Sequence, residues 1–155
     1  MEAAVVAAGG GIIELRGTYR MPTAGSNGLS ITTSNTTVIG FGNGKILMDN
    51  LNGSGVPQSS GNLNGHGVFV DVSLENIVID GVTVEWKTKP AGRSAGDGFR
   101  FLGYPSLTGA SVTHLGVTKI WKATRHIKFR NCQFSPGTAP FILVTSSLKI
   151  PGRGQ

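Results

Sequence analysis

Few residues in this chain of 155 could do chemistry. It has eight acids, three histidines and one cysteine. Hydrolysis of a glycosidic bond takes two carboxyl groups flanking the bond, about 5 Å apart or roughly 6.5–9.5 Å apart according to stereochemistry. The pairs to consider are Asp71 with Asp97 and Asp80 with Glu85. Asp80 and Asp97 each precede a glycine, where an aspartate commonly serves the bend itself. The second chemical set is cationic. In the segment Arg125-His126-Ile127-Lys128-Phe129-Arg130, alternation that turns Ile127 and Phe129 inward turns His126, Lys128 and Arg130 outward. Lys119, Lys122 and Arg125 lie just upstream. Together these six make a basic outer face suited to an anionic glycan or to an acidic neighbour in an assembly. Nucleic acid is disfavoured, because interleaved aromatics are missing apart from Trp121 and no nucleic-acid module is recognisable. Cys132 falls on an inward slot, where a free cysteine acts as a small hydrophobe. Nothing in the sequence asks for a metal or a cofactor.

The elements that must position these residues are short strands. Glu75-Asn76-Ile77-Val78-Ile79-Asp80-Gly81-Val82-Thr83-Val84 is echoed by Arg125-His126-Ile127-Lys128-Phe129-Arg130-Asn131-Cys132-Gln133-Phe134. Each reads as strand, bend, strand, with the bend at Asp80-Gly81 or Arg130-Asn131. An internal repeat of this kind decides architecture before anything else. Composition agrees: 24 glycines are about twice the usual ~7% share, and charged residues make up only 14%. Both suit an all-β chain with many bends. Further strands are expected at Ile12–Leu15, Thr18–Met21, Leu29–Thr32, Thr37–Met48, Val68–Val72, Gly98–Leu102, Val117–Trp121 and Phe141–Val144. Loops are expected at residues 50–66, 87–96 and 103–116. Residues 2–8 read as one or two helical turns ended by Gly9-Gly10-Gly11. Asn76 and Asn131 sit at bend edges, where stacked side chains would satisfy backbone groups.

Two places in the chain resemble a known family. Ala7-Ala8-Gly9-Gly10-Gly11-Ile12-Ile13-Glu14-Leu15-Arg16-Gly17-Thr18-Tyr19-Arg20 looks like the end of a capping helix and the first turn of a pectate-lyase-like domain. The rung at 76–84 and its copy at 126–134 look like that family's repeating unit. The chain thus resembles the right-handed parallel β-helix superfamily of pectate lyases, polygalacturonases and phage tailspikes. The resemblance implies one domain over residues 1–155: a partial cap over 1–10, about five or six turns over 11–150, and a tail over 151–155. It also implies an enzymatic reading, a polysaccharide lyase or glycoside hydrolase whose site uses Asp71, Asp97 and Arg100. Gly65-His66-Gly67 and Asp97-Gly98 are similar to polygalacturonase fragments, yet here the histidine precedes the aspartate and no adjacent aspartate pair exists.

The expectation that follows is a short virion protein of tailspike or decoration type, at a phage tail or surface. It binds a host glycan or neighbouring subunits and catalyses nothing. Coil ends expose strand edges, so a homotrimer or a larger particle is expected to cover them. The charge is lopsided, −2 over residues 1–77 and +8 over residues 78–155. No apolar run is long enough to cross a membrane as a helix. Met1–Ala8 carries an acid where a secretion signal has a basic region, which fits a virion better than the alternative, an extracellular enzyme.

Overall fold

A computed structural model of the chain describes residues 8–23, 27–51, 54–56, 66–87, 98–102, 109, 111–114, 117–120, 122, 124–135 and 141–144. All regular structure among them is strand. Twelve strands follow one another: β1 (Gly11–Thr23), β2 (Leu29–Ile31), β3 (Thr36–Leu51), β4 (Val68–Val70), β5 (Glu75–Asp80), β6 (Thr83–Trp86), β7 (Phe99–Leu102), β8 (Ser111–His114), β9 (Val117–Ile120), β10 (Arg125–Arg130), β11 (Gln133–Ser135) and β12 (Phe141–Val144). The helix expected over residues 2–8 lies outside the described residues, except that Ala8 begins a turn.

Two parallel sheets carry the fold. In the larger, β1 pairs with β3, and β3 pairs with both β5 and β6. β10 then adds to β5, and β11 to β6. The smaller sheet runs β2, β4, β7, β12, again parallel. The chain therefore visits the same two sheets four times, and each pass lays its strands on the pass before. Four passes among the described residues are fewer than the five or six expected. Residues 103–116, expected as loop, contain β8, and β9 is not a rung. These two strands form an antiparallel hairpin apart from the parallel sheets. Period-two alternation marks a strand but not the direction in which it pairs.

Parallel register makes columns of like residues. Ile13, Val38, Ile79 and Phe129 form one, and Ile46, Val84 and Phe134 another. Their middle members, Val38, Ile79, Ile46 and Val84, are buried in one cluster with Ile77, Val82, Trp86 and Phe99. The bends also stack. Asn35, Asn76 and His126 all have left-handed backbones, with φ of 56, 58 and 55°. Asparagine tolerates this conformation better than most residues. The Asn76 amide donates to the Asn35 side-chain oxygen at 2.9 Å, while the Asn131 amide donates to Asp80; both bonds go to side chains rather than to the bend backbone groups expected of Asn76 and Asn131. Asn131, at φ 53°, repeats Gly81, at φ 68°.

Gly40 faces Gly81 where β3 turns. A Cβ on Gly40 would overlap the Gly81 carbonyl, whereas a Cβ on Gly42 would meet open space. Overpacking at a backbone contact costs about 1–3 kcal/mol. Gly40→Ala is therefore expected to lower the unfolding free energy measured in urea by that amount. Gly42→Asn, at a compatible φ of 57°, should stay within about 0.5 kcal/mol.

Candidate functional site

The basic residues of β10 are exposed, though His126 leaves strand geometry at φ 55°, and they do not form a bare cationic surface. The register of β10 lays Arg125 over Glu75 and Arg130 over Asp80. Both pairs are closed, Arg125 to Glu75 at 3.0 Å and Arg130 to Asp80 at 2.9 Å. The Asn131 amide adds a 2.9 Å bond to the other Asp80 oxygen. Such exposed pairs are worth at most about 1 kcal/mol each, yet they cancel much of the charge a ligand would meet. Lys128 lies over Val78, and His126 occupies the left-handed bend over Asn76. Lys122 stands just ahead, its backbone N–H donating to Ser73 Oγ at 2.7 Å. Lys119 belongs to the hairpin, paired with Val112, and its side chain lies outside the described residues.

Of the acids considered for catalysis, the described residues include Asp71, Asp80 and Glu85. Asp71 is 2% exposed. Its Oδ1 accepts the Val72 N–H at 2.7 Å, its own N–H donates to Ile31 O at 3.0 Å, and its carbonyl accepts Thr124 Oγ1 at 3.4 Å. It thus fastens the turn that leaves β4. Arg100 sits in β7 opposite Phe69 of β4, and Asp97 lies outside the described residues. His66 is buried, stacked on Phe69 with ring centroids 6.0 Å apart. Its backbone N–H donates to Asn27 Oδ1 at 3.0 Å, so it helps to start the smaller sheet. Trp86 is core, at 2% exposure. Among the described residues no three His, Cys, Asp or Glu side chains group as metal ligands.

A different surface has the shape of a site. The second halves of the four passes put Thr18, Lys45, Thr83 and Gln133 in one outward ladder. With Gly42, Asn43, Glu85 and Phe134 they line an open groove of about 500 Å3. Its floor spans three interstrand steps, about 14 Å at 4.7–4.9 Å each. The rim comes from a length difference: β3 needs Gly42-Asn43-Gly44 to turn where β1 needs only Gly17. Lys45 Nζ meets Glu85 Oε2 at 2.6 Å, both side chains half-buried. The groove thus offers hydroxyls, amides, an internally neutralised ion pair and one aromatic edge. This is hydrogen-bonding equipment rather than an acid–base pair. Sequence reasoning missed the groove because its members lie 27, 38 and 50 residues apart. The available signal was their shared place just after the bend of each unit.

No family model, curated protein or solved structure matches the chain.

Cys132 is half-buried, its Sγ 3.1 Å from the Arg130 carbonyl oxygen. Burial pushes the thiol above its ordinary pKa. The thiol form is favoured by folding, so this contribution holds below the ordinary cysteine value and is lost as pH climbs through the raised one. Alkylation by iodoacetamide near about pH 8 should be several-fold slower than for a free peptide cysteine, and urea should abolish the difference. Asp71→Ala should cost about 1–3 kcal/mol in chemical unfolding by orphaning its turn. Asp71→Asn, which keeps the acceptor oxygen, should cost clearly less.

Proposed function

We propose that the chain is a short right-handed parallel β-helix of virion type that holds a glycan in the Thr18–Lys45–Thr83–Gln133 groove without cleaving it. The observation that carries this is the polar ladder, one rung from each of four parallel passes. A linear oligosaccharide presents hydroxyls at regular intervals along one face. A ladder of hydroxyl, ammonium, hydroxyl and amide offers donors and acceptors in the same regular series. Phe134 supplies an apolar edge for a sugar face. The Lys45–Glu85 pair leaves the groove without net charge, which favours a neutral glycan here over the anionic one anticipated from the basic row. The basic row is then a surface for neighbouring subunits, in a homotrimer or a larger particle. Placement at a phage tail or surface rests on the tailspike resemblance.

Hydrolysis finds less support. Among the described residues the groove has one carboxylate, Glu85, and Lys45 holds it. Two flanking carboxyls are what either hydrolytic geometry demands.

The test is titration of the chain against neutral and uronic-acid oligosaccharides by calorimetry, with reducing ends followed in parallel. Binding should prefer the neutral series. Thr83→Ala and Gln133→Ala should each weaken it about three- to tenfold, as loss of one hydrogen bond implies. Thr83→Arg should block the groove, and Lys128→Ala should change nothing. Release of reducing or unsaturated ends with turnover would sink the binding-only reading.

A further inference from the structure

Ion pairs between successive passes take two geometries. Between β5 and β10 they run straight across: Arg125 and Arg130 each meet the acid that is their own register partner, Glu75 and Asp80. Beyond the bend they run on the diagonal. Lys45 is the register partner of Thr83, yet its ammonium reaches Glu85, two residues further along β6. Arg20 is the partner of Leu47 and reaches Asp49, again two residues further. Glu85 itself stands between Leu47 and Ser135, neither of them a base. Lys45 therefore leans out of its own rung, across about 6.6 Å of strand, to meet an acid on the next one.

Without Glu85 that rung would be an anion cradle. In the ladder Thr18, Lys45, Thr83 the ammonium has a hydroxyl one interstrand step to either side. Hydroxyls and an ammonium all donate hydrogen bonds, and such a set recognises a carboxylate or a sulfate. Glu85 brings an anion of this kind from within the chain. Its Oε2 lies 2.6 Å from Lys45 Nζ, in the lining of the groove. The two diagonal pairs differ in access. The Asp49 side chain is 2% exposed and that of Glu85 40%, so a ligand in the groove meets the carboxylate of Glu85 and not that of Asp49.

We propose that Glu85 determines the charge selectivity of the groove: its carboxylate stands where the acid group of a charged glycan would bind, and so turns that class of ligand away. The inference rests on the groove reading and names the residue that makes the groove neutral. Rejection has two parts. Glu85 takes up the ammonium that would hold an acidic sugar, and its own charge faces any incoming carboxylate. A repulsive element of this sort is how a site excludes a near relative of its ligand. Among the described residues that line the groove, Lys45 and Glu85 are the two that carry charge. Loss of the Glu85 charge alone therefore turns the groove from neutral to positive.

Calorimetric titration of parent and variants with a uronic-acid oligosaccharide and with a neutral one reads this directly. Glu85→Gln should bind the uronic-acid series about tenfold or more tighter than the parent, as gain of a charge-assisted hydrogen bond implies. Raising salt from about 0.1 M to about 1 M should remove most of the gain. Adding Lys45→Gln to Glu85→Gln should abolish it, and Glu85→Asp, which keeps the charge, should show little of it. Glu85→Ser gives a second, smaller neutral side chain with the same expected gain. Neutral variants that gain no acidic ligand would overturn the inference, and where the parent still binds the neutral series the groove reading would stand. A parent that binds neither series, with a Glu85→Gln variant that takes up the acidic one, would overturn the groove reading and keep Glu85 as the residue that excludes acid.

Discussion

Parallel pairing between successive passes is the constraint on which the rest of this structure depends. In a parallel ladder, residue faces residue of the same kind of slot, pass after pass. Once Ile77 is set against Ile127 and Thr83 against Gln133, every other slot is assigned. The inward slots become apolar columns, and the bend slots must all accept one backbone geometry. Asn35, Asn76 and His126 share a left-handed φ for that reason, not because each turn was solved separately. Their exchange of bonds is also columnar: Asn35 N–H donates to Glu75 O at 2.9 Å, and Arg125 N–H donates to Leu74 O at 2.9 Å. A change at one bend is therefore felt by the pass above and the pass below.

The same constraint accounts for what the acids do. Eight carboxylates in 155 residues are few. Of those placed on the sheets, Glu75 and Asp80 take up arginines from the next pass, and Glu85 takes up Lys45 from the previous one. Asp49 holds Arg20 across the same kind of step, at 2.6 Å. Each is an inter-pass contact between residues 29 to 50 apart in sequence. Individually these are weak in water. Two of these acids reach forward to the next pass and two back to the previous one, while Glu14 pairs with Arg16 within β1 at 2.7 Å; the acids on the sheets are thus engaged with bases, which leaves little acid for chemistry.

Legibility in the sequence followed the same division. The repeat at 75–84 and 125–134 was readable because its two copies have equal bends, and the structure pairs them residue for residue from Glu75–Arg125 to Glu85–Ser135 apart from the bends. β1 and β3 were readable as strands but not as the same rung, since a bend of Gly40–Gly44 hides the correspondence with Gly81-Val82. The hairpin of β8 and β9 was hidden because alternation gives no pairing direction. The basic residues of β10 were legible from their alternation with Ile127 and Phe129. Their neutralisation by Glu75 and Asp80 was not, because that requires knowing which pass lies beneath. The groove was invisible for the same reason: Thr18, Lys45, Thr83 and Gln133 share nothing in type, only a slot.

The slot that defines the groove also explains why it can vary without harm to the fold. Inward neighbours of the ladder, Ile46 and Val84, are buried at 2% and 0% and fix the spacing of the strands. The outward residues ride on that spacing. Among the described residues, Thr18, Lys45, Thr83 and Gln133 line the groove rather than the core, so exchanging them opens no core cavity, although Lys45 also holds Glu85. Specificity in such a protein is written on a surface whose geometry is held from behind by the core. In the last pass the inward slots are less well covered, Phe129 being 38% exposed and Phe134 only partly buried, whereas Ile13 and Leu15 of the first pass are buried.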